Sequence, residues 1–188
     1  MNVKRLFDLA IALALLAVLA LPMLLIGLFI RLGSKGPAFH VSQRIGRDNK
    51  PFSMYKFRTM TKNAPVVATH LMTEAERYVT PIGSFLRNTS LDEVPQLLNI
   101  IKGEMSLVGP RPALFNQADL IAMRTEIGVH HLVPGLTGWA QVNGRDELPI
   151  PKKVELDHYY LENRNFLFDI KIIFLTFYKV LKEEGVSH

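Results

Sequence analysis

Two adjacent carboxylates, Asp92 and Glu93, sit between Arg87 and Arg111 in the stretch RNTSLDEVPQLLNIIKGEMSLVGPRP. Leu91, Val94, Leu97, Leu98 and Ile101 are spaced for one helical face, which places the acidic pair at a helix N-terminus. Such an end carries unpaired N–H groups and partial positive charge, and so can hold an anion or a metal–phosphate assembly against the carboxylates. Arginine suits phosphate because its planar fork makes two parallel charge-assisted hydrogen bonds. Carboxylates plus arginines suggest phosphate chemistry.

A structural alternative stands beside this one. Ser90 and Glu93 fit a capping box, with Asp92 merely favouring the helix dipole. Pro95 argues partly against it, because under a Ser90 cap the proline falls beyond the tolerant first position. A start near Val94, with Pro95 as first helical residue, leaves Asp92 and Glu93 on the approach and freer for chemistry.

The elements that must position these groups are read from either side. Val108-Gly109-Pro110-Arg111-Pro112 predicts a stiff loop carrying Arg111, with little entropy to lose on binding phosphate. Upstream, AFHVSQRI and FSMYKFRTM read as short strands around turns at Gly36-Pro37 and Asp48–Pro51. Alternation there puts Lys56 with Arg58 on one face, a basic surface that is solvated or touches anionic headgroups unless the acidic pair lies nearby. Thr73-x-x-Glu76 fits the cap of a short helix, and Thr80–Gly83 reads as a turn. Leu114–Ile127 reads as a helix. Gly135, Gly138 and Gly144 predict tight turns around Trp139–Val142, either a hairpin or a cradle for a nucleotide, with Arg145 directly after Asn143-Gly144. GxGxxG and P-loop patterns are absent, and His130-His131 and Asp157-His158 lack zinc-ligand spacing.

Composition narrows the class. The 188 residues suit one domain with a real core, and the absence of cysteine excludes disulfides and thiolate chemistry. A net charge of +5 points to an anionic partner: nucleic acid, membrane lipid or a phosphorylated substrate. Leu9–Ile30 carries no charge and is long enough to enter a bilayer; it exceeds a signal-peptide core, and no small-residue cleavage pattern follows it. Lys4 and Arg5 precede the run while Arg31 and Lys35 follow it, so the usual charge asymmetry of a spanning helix is missing. With Pro22 near the middle, a helix-break-helix hairpin that enters and leaves by the same face is predicted. The tail, FLFDIKIIFLTFYKVLKEE, reads as an interfacial or core-packed amphipathic helix.

SLDEVPQLLNIIKGEMSLVGPRP, preceded by YKFRTM and followed by PGLTGWAQVNGR, resembles the bacterial sugar transferase family, the small monotopic phosphoglycosyl transferases acting on polyprenyl phosphate. The agreement runs from Lys4 to about Val186. It implies a mixed α/β, helix-rich fold: a re-entrant membrane helix over 1–35, then a catalytic region over 36–188 with interfacial helices and a small β component, at the cytoplasmic face of the bacterial inner membrane. It further implies transfer of a phosphosugar from a UDP-sugar to undecaprenyl phosphate with release of UMP, with Mg²⁺ as cofactor. By motif, Asp92 would be the nucleophile, and Glu93 would assist through the metal site, to which both carboxylates are assigned, or by acid/base chemistry. Arg87, Arg111 and Arg145 would steady phosphate or nucleotide, with Lys56 and Arg58 as further candidates. Membrane lipids are expected partners, with downstream glycosyltransferases a possible addition, and nucleic acid is not expected. The donor sugar stays open among GlcNAc, GalNAc, modified bacillosamine and hexoses. One departure is Leu21-Pro22, where the family often has Ser-Pro at the helix break. The alternatives are a noncatalytic membrane-anchored module binding anionic lipid, and a membrane phosphohydrolase.

Overall fold

A computed structural model describes residues 3–61, 63–64, 75–144 and 148–182. The architecture is mixed α/β and helix-rich, led by one long apolar helix, α1 (Val3–Gly33). This helix is long and apolar enough to cross a membrane, and it runs unbroken through Pro22. The expected break is therefore not seen as an interruption. Proline deletes one backbone donor, and a single missing bond does not end a 31-residue helix.

Both halves of α1 pack against the same body. Phe7, Ala12 and Leu16 join the main core with Leu97, Ile100 and Val108. Met23, Ile26 and Ile30 join a second cluster with Phe57 and Leu86. Between them Val18, Leu21 and Leu24 stand 74%, 66% and 72% exposed, an apolar strip that the protein itself leaves uncovered.

After α1, the two predicted strands, β1 (Phe39–Ile45) and β2 (Pro51–Phe57), pair as an antiparallel hairpin, in register from Phe39↔Phe57 to Ile45↔Pro51. Its tip turns at Asp48 and Asn49, both at positive φ, a conformation their short polar side chains tolerate. β4 (Ala113–Leu114) pairs with β1, leaving β2 at the edge of a three-stranded sheet. β3 (Ser106–Val108) and β5 (Gly135–Thr137) make a separate parallel pair.

Helices fill the remainder. Thr80 through Gly83 open α2 (Pro81–Asn88) where a turn was predicted: the Thr80 hydroxyl accepts from the Gly83 N–H, and Pro81 takes the first helical position. α3 (Leu97–Lys102) follows the acidic pair. α4 (Ala118–Glu126) starts later than Leu114 because Leu114 is paired in β4. Trp139–Val142 is a single helical turn, α5, and so is not the extended segment of a hairpin. α6 (Ile150–Asn163) leads to α7 (Phe166–Leu181), whose first turn is capped by Asn165 accepting from the Phe168 N–H. Thr73 lies outside the described residues.

Candidate active site

The acidic pair sits in a 3-10 helix, Leu91–Gln96, entered through Ser90 at φ 56°. That is the left-handed region, uncommon for a non-glycine residue and found preferentially where function fixes the backbone. Ser90 makes no side-chain capping bond, and the Glu93 carboxylate turns away from it. The capping box is thereby overturned. The α-helix proper begins only at Leu97, so Asp92 and Glu93 lie on its approach, with Pro95 inside the 3-10 segment instead of at the first α-helical position.

Three of the expected cations converge on the pair. Lys56 Nζ donates to Glu93 Oε1 at 2.6 Å and stands 3.7 Å from Asp92 Oδ2. Arg111 Nη2 donates to the same Glu93 oxygen at 3.1 Å. Arg87 donates from Nε to Thr59 Oγ1 at 3.0 Å, and its charge acts on Asp92. The two carboxylates consequently differ. Burial would push the Glu93 carboxyl up, but Lys56 and Arg111 hold it well below the usual carboxylate range. For Asp92 burial prevails over Lys56, the adjacent Glu93 adds to the effect, and its carboxyl is raised despite Arg111 and Arg87. Glu93 is thus a fixed anion clamped between two cations. Asp92 is only 8% exposed, yet among the described residues its carboxylate accepts no hydrogen bond.

Buried polar contacts set this geometry. Asn99, wholly buried at the centre of α3, accepts from the Tyr55 N–H at 3.1 Å and donates to the Ser53 carbonyl and to Glu104. It stitches the free edge of β2 as a further strand would, fixing Lys56 relative to the segment that carries Glu93. Thr59 accepts at its carbonyl from the Thr80 N–H and hydroxyl, and a Cβ on Gly83 would fall 2.0 Å from that oxygen. Only glycine lets α2 come close enough for Arg87 to reach Thr59.

Of the predicted Val108–Pro112 loop, Val108 belongs instead to β3, and the remaining Gly109–Pro112 is a loop whose carbonyls are tied one by one. Pro110 O accepts from the Gly135 N–H at 2.9 Å, Arg111 O from Arg124 Nη1 at 2.8 Å and Pro112 O from Arg44 Nη1 at 3.2 Å. Gly109 donates to Thr137 O. A Cβ on Gly135 or Gly138 would lie 2.1 Å from Gly109 backbone atoms. These two glycines therefore let backbone pack on backbone behind Arg111, and that contact accounts for them without a nucleotide.

Arg58 is not brought to the pair. Its guanidinium is buried and donates to the carbonyls of Ile30, Ser34 and Lys35, closing the C-terminal end of α1. Arg145 lies outside the described residues. His131 pairs with Asp48 at the hairpin tip, and Asp157 with Arg124. Among the described residues no group of three or more His, Cys, Asp or Glu side chains is placed to hold a metal. Asp92 and Glu93 nonetheless suit Mg²⁺, which commonly takes one or two carboxylates and completes its shell with water and substrate phosphates; Asp92 has oxygen capacity to spare. Asn99, Thr59, Arg44, Arg124 and Asp157 were missed from sequence. Each is an ordinary residue far along the chain from what it touches.

Together these features define a protein with an apolar helix and an internal, cation-lined carboxylate pair suited to phosphorylated molecules. Residues 1–183 match the family described as bacterial sugar transferase, and the chain belongs to that family. It is 43% identical over 187 residues to the uncharacterized sugar transferase EpsL of Bacillus subtilis (strain 168), covering 100% of this chain and 91% of EpsL. It is 40% identical over 185 residues to the UDP-glucose:undecaprenyl-phosphate glucose-1-phosphate transferase of Escherichia coli (strain K12), covering 94% of this chain and 39% of that protein. The exopolysaccharide production protein ExoY of Sinorhizobium fredii (strain NBRC 101917 / NGR234) is 38% identical over 198 residues, with 97% and 87% covered. The chain thus spans most of EpsL and ExoY but about two-fifths of the E. coli enzyme.

Proposed function

We propose that the protein transfers a sugar 1-phosphate from a UDP-sugar to undecaprenyl phosphate, an initiating step in exopolysaccharide or capsule synthesis. The observation that carries this reading is the division of labour between the carboxylates: Glu93 is locked to Lys56 and Arg111, and Asp92 is buried, raised and little bonded. In the first half-reaction an Asp92 oxygen attacks the sugar-bearing phosphorus; the bond to the uridylyl phosphate breaks, and UMP leaves with its electron pair. In the second, an oxygen of undecaprenyl phosphate attacks the same phosphorus and displaces Asp92, giving the undecaprenyl diphosphate sugar. A carboxylate approaching a diphosphate meets like charge, so cations fixed beforehand are what make attack feasible. Arg111 and Arg87 orient the phosphates, Lys56 balances both carboxylates, and Glu93 holds Lys56 and Arg111 in place. Asp92 and Glu93 would hold Mg²⁺, which would supply further charge neutralisation on the diphosphate.

A membrane arrangement accompanies this. α1 is anchored at both ends to one body, by Lys4 to Asp169, Arg5 to the carbonyls of Ile100 and Ile101, and Asp8 to Ser106 at its start, and by Arg58 at its finish. A straight crossing would carry those ends to opposite faces. The pattern supports a re-entrant helix with the uncovered strip around Leu21 in lipid; its entry from the cytoplasmic side of the inner membrane is part of the proposal. Leu167, Phe174 and Phe177 form an exposed apolar row on α7, consistent with an interfacial helix.

The deciding experiment is UMP release from a panel of UDP-sugars by purified protein with Mg²⁺ and undecaprenyl phosphate. Lipid-dependent release that Asp92→Asn abolishes is expected, and ping-pong kinetics should accompany it. Sustained turnover without lipid, beyond the single UMP per enzyme that the first half-reaction releases, favours a hydrolase, and full turnover by Asp92→Asn removes the proposed nucleophile.

A further inference from the structure

Arg111 sits between two prolines, so only its own N–H is available for the loop to tie itself down across Pro110, Arg111 and Pro112. Its carbonyl is held instead from α4, by Arg124. That guanidinium uses both ends of its fork: Nε and Nη2 donate to Asp157 Oδ2 at 3.0 and 2.5 Å, and Nη1 donates to Arg111 O at 2.8 Å. The two side chains are almost wholly withdrawn from water, 10% and 2% exposed. A small cleft lined by Ile45, Pro110, Pro112, Arg124 and His130 lies beside the loop, which is therefore not wedged in place by packing alone.

An ion pair in this position is an expensive way to fill a core. Burial raises the Asp157 carboxyl in spite of Arg124, and apolar residues of similar volume often serve a buried site as well or better. What an apolar pair cannot supply is an N–H aimed at the Arg111 carbonyl. We propose that Arg124 and Asp157 are positioning residues for Arg111: Asp157 aims Arg124, and Arg124 holds the loop so that the Arg111 guanidinium stands at Glu93 and at the diphosphate. This rests on the transferase reading given above. The chain of contacts runs from α6 through α4 to the loop, and ends at the 3.1 Å contact between Arg111 and Glu93.

The test compares full-length protein in lipid nanodiscs with Arg124→Lys and with the paired apolar replacement Arg124→Met/Asp157→Leu. Lysine keeps the charge but cannot bond Asp157 and the carbonyl together with one planar fork. Each variant is expected to lose about 100-fold in kcat/KM for the UDP-sugar, the scale of a misplacement near 1 Å. The thermal midpoint of the apolar pair should stay level or rise. In an Arg111→Ala background, Arg124→Lys should add no further loss, and hydrogen exchange over residues 106–117 should quicken in Arg124→Lys alone.

A folded apolar pair with wild-type kcat/KM, or an Arg124→Lys loss that persists undiminished in the Arg111→Ala background, overturns the proposal. Should that pair not fold, Arg124→Lys decides by the same two readings. If wild-type protein releases no UMP, the transferase reading is what fails; the exchange measurement then judges the positioning role by itself, and an unchanged rate over 106–117 overturns it.

Discussion

Asp92 and Glu93 are neighbours in sequence, yet folding acts on them in opposite directions, and each direction has a consequence for stability. Asp92 binds its proton more tightly in the native state than in the unfolded chain. Its contribution is complete below the unfolded pKa and is lost as pH rises through the folded one. At neutral pH the ionised group is a net cost, so Asp92→Asn should stop transfer and raise Tm by about 2–4 °C, the shift for roughly 1 kcal/mol at this size. That gain should vanish when pH falls below the folded pKa of Asp92. Glu93 is the reverse, with stability present above its unfolded pKa and lost as pH falls through the folded one. Glu93→Gln leaves Lys56 and Arg111 short of their counter-charge and should cost about 3 kcal/mol at neutral pH by urea titration. The same asymmetry governs rate. In the proposed mechanism attack requires Asp92 ionised, so the acid limb of kcat/KM should lie above the ordinary aspartate value of about 4. Lys56→Met removes the largest opposing influence and should carry that limb still higher; a limb that stays put would separate Lys56 from Asp92.

At the scale of elements, the site is a meeting of four pieces: the edge of β2 with Lys56, the 3-10 lead into α3 with the acidic pair, the end of α2 with Arg87, and the Gly109–Pro112 loop. Asn99 joins the first two. Asn99→Ala leaves the Tyr55 N–H, the Ser53 carbonyl and Glu104 without that partner, and should lower stability by about 3 kcal/mol in urea unfolding. It should also weaken turnover by loosening Lys56. How much of this was legible in the sequence follows from the kind of signal each piece carries. Lys56, Arg87, Arg111 and the acidic pair stand out because their residue types carry phosphate chemistry, and the hairpin stands out by its turn residues. Asn99 and Arg124 carry no mark of their own: an asparagine in a helix and an arginine in a helix acquire meaning only through partners 44–46 and 13–33 residues away. Two local signals were present but read otherwise. Thr80-Pro81 is a cap followed by a first-turn proline, which also looks like a turn. Trp139–Val142, flanked by glycine and by asparagine, suggests extended chain, and tertiary packing made it one helical turn. Arg58 shares the spacing of Lys56, but spacing cannot reveal that a helix end stands beside it.

For the whole molecule, the decisive relation is between α1 and the rest. Single cysteines at Asn2 and Lys35 should both react with an impermeant reagent from the same side of sealed vesicles; labelling from opposite sides would make α1 a spanning helix. Relatives that are more than twice as long share this unit with the present chain, so the unit includes the helix. Its boundary contacts say why. Asp8 accepts from the Ser106 hydroxyl and the Leu107 N–H, Arg5 closes the carbonyls at the end of α3, and Lys4 reaches Asp169 beside Tyr160. A leash can be cut without harm to what it tethers, whereas a wall cannot be removed without exposing the room. α1 belongs to the second kind: clipping it away would open the core at Ala12 and strand the donors and acceptors that face it, so this enzyme has no water-soluble half waiting to be released.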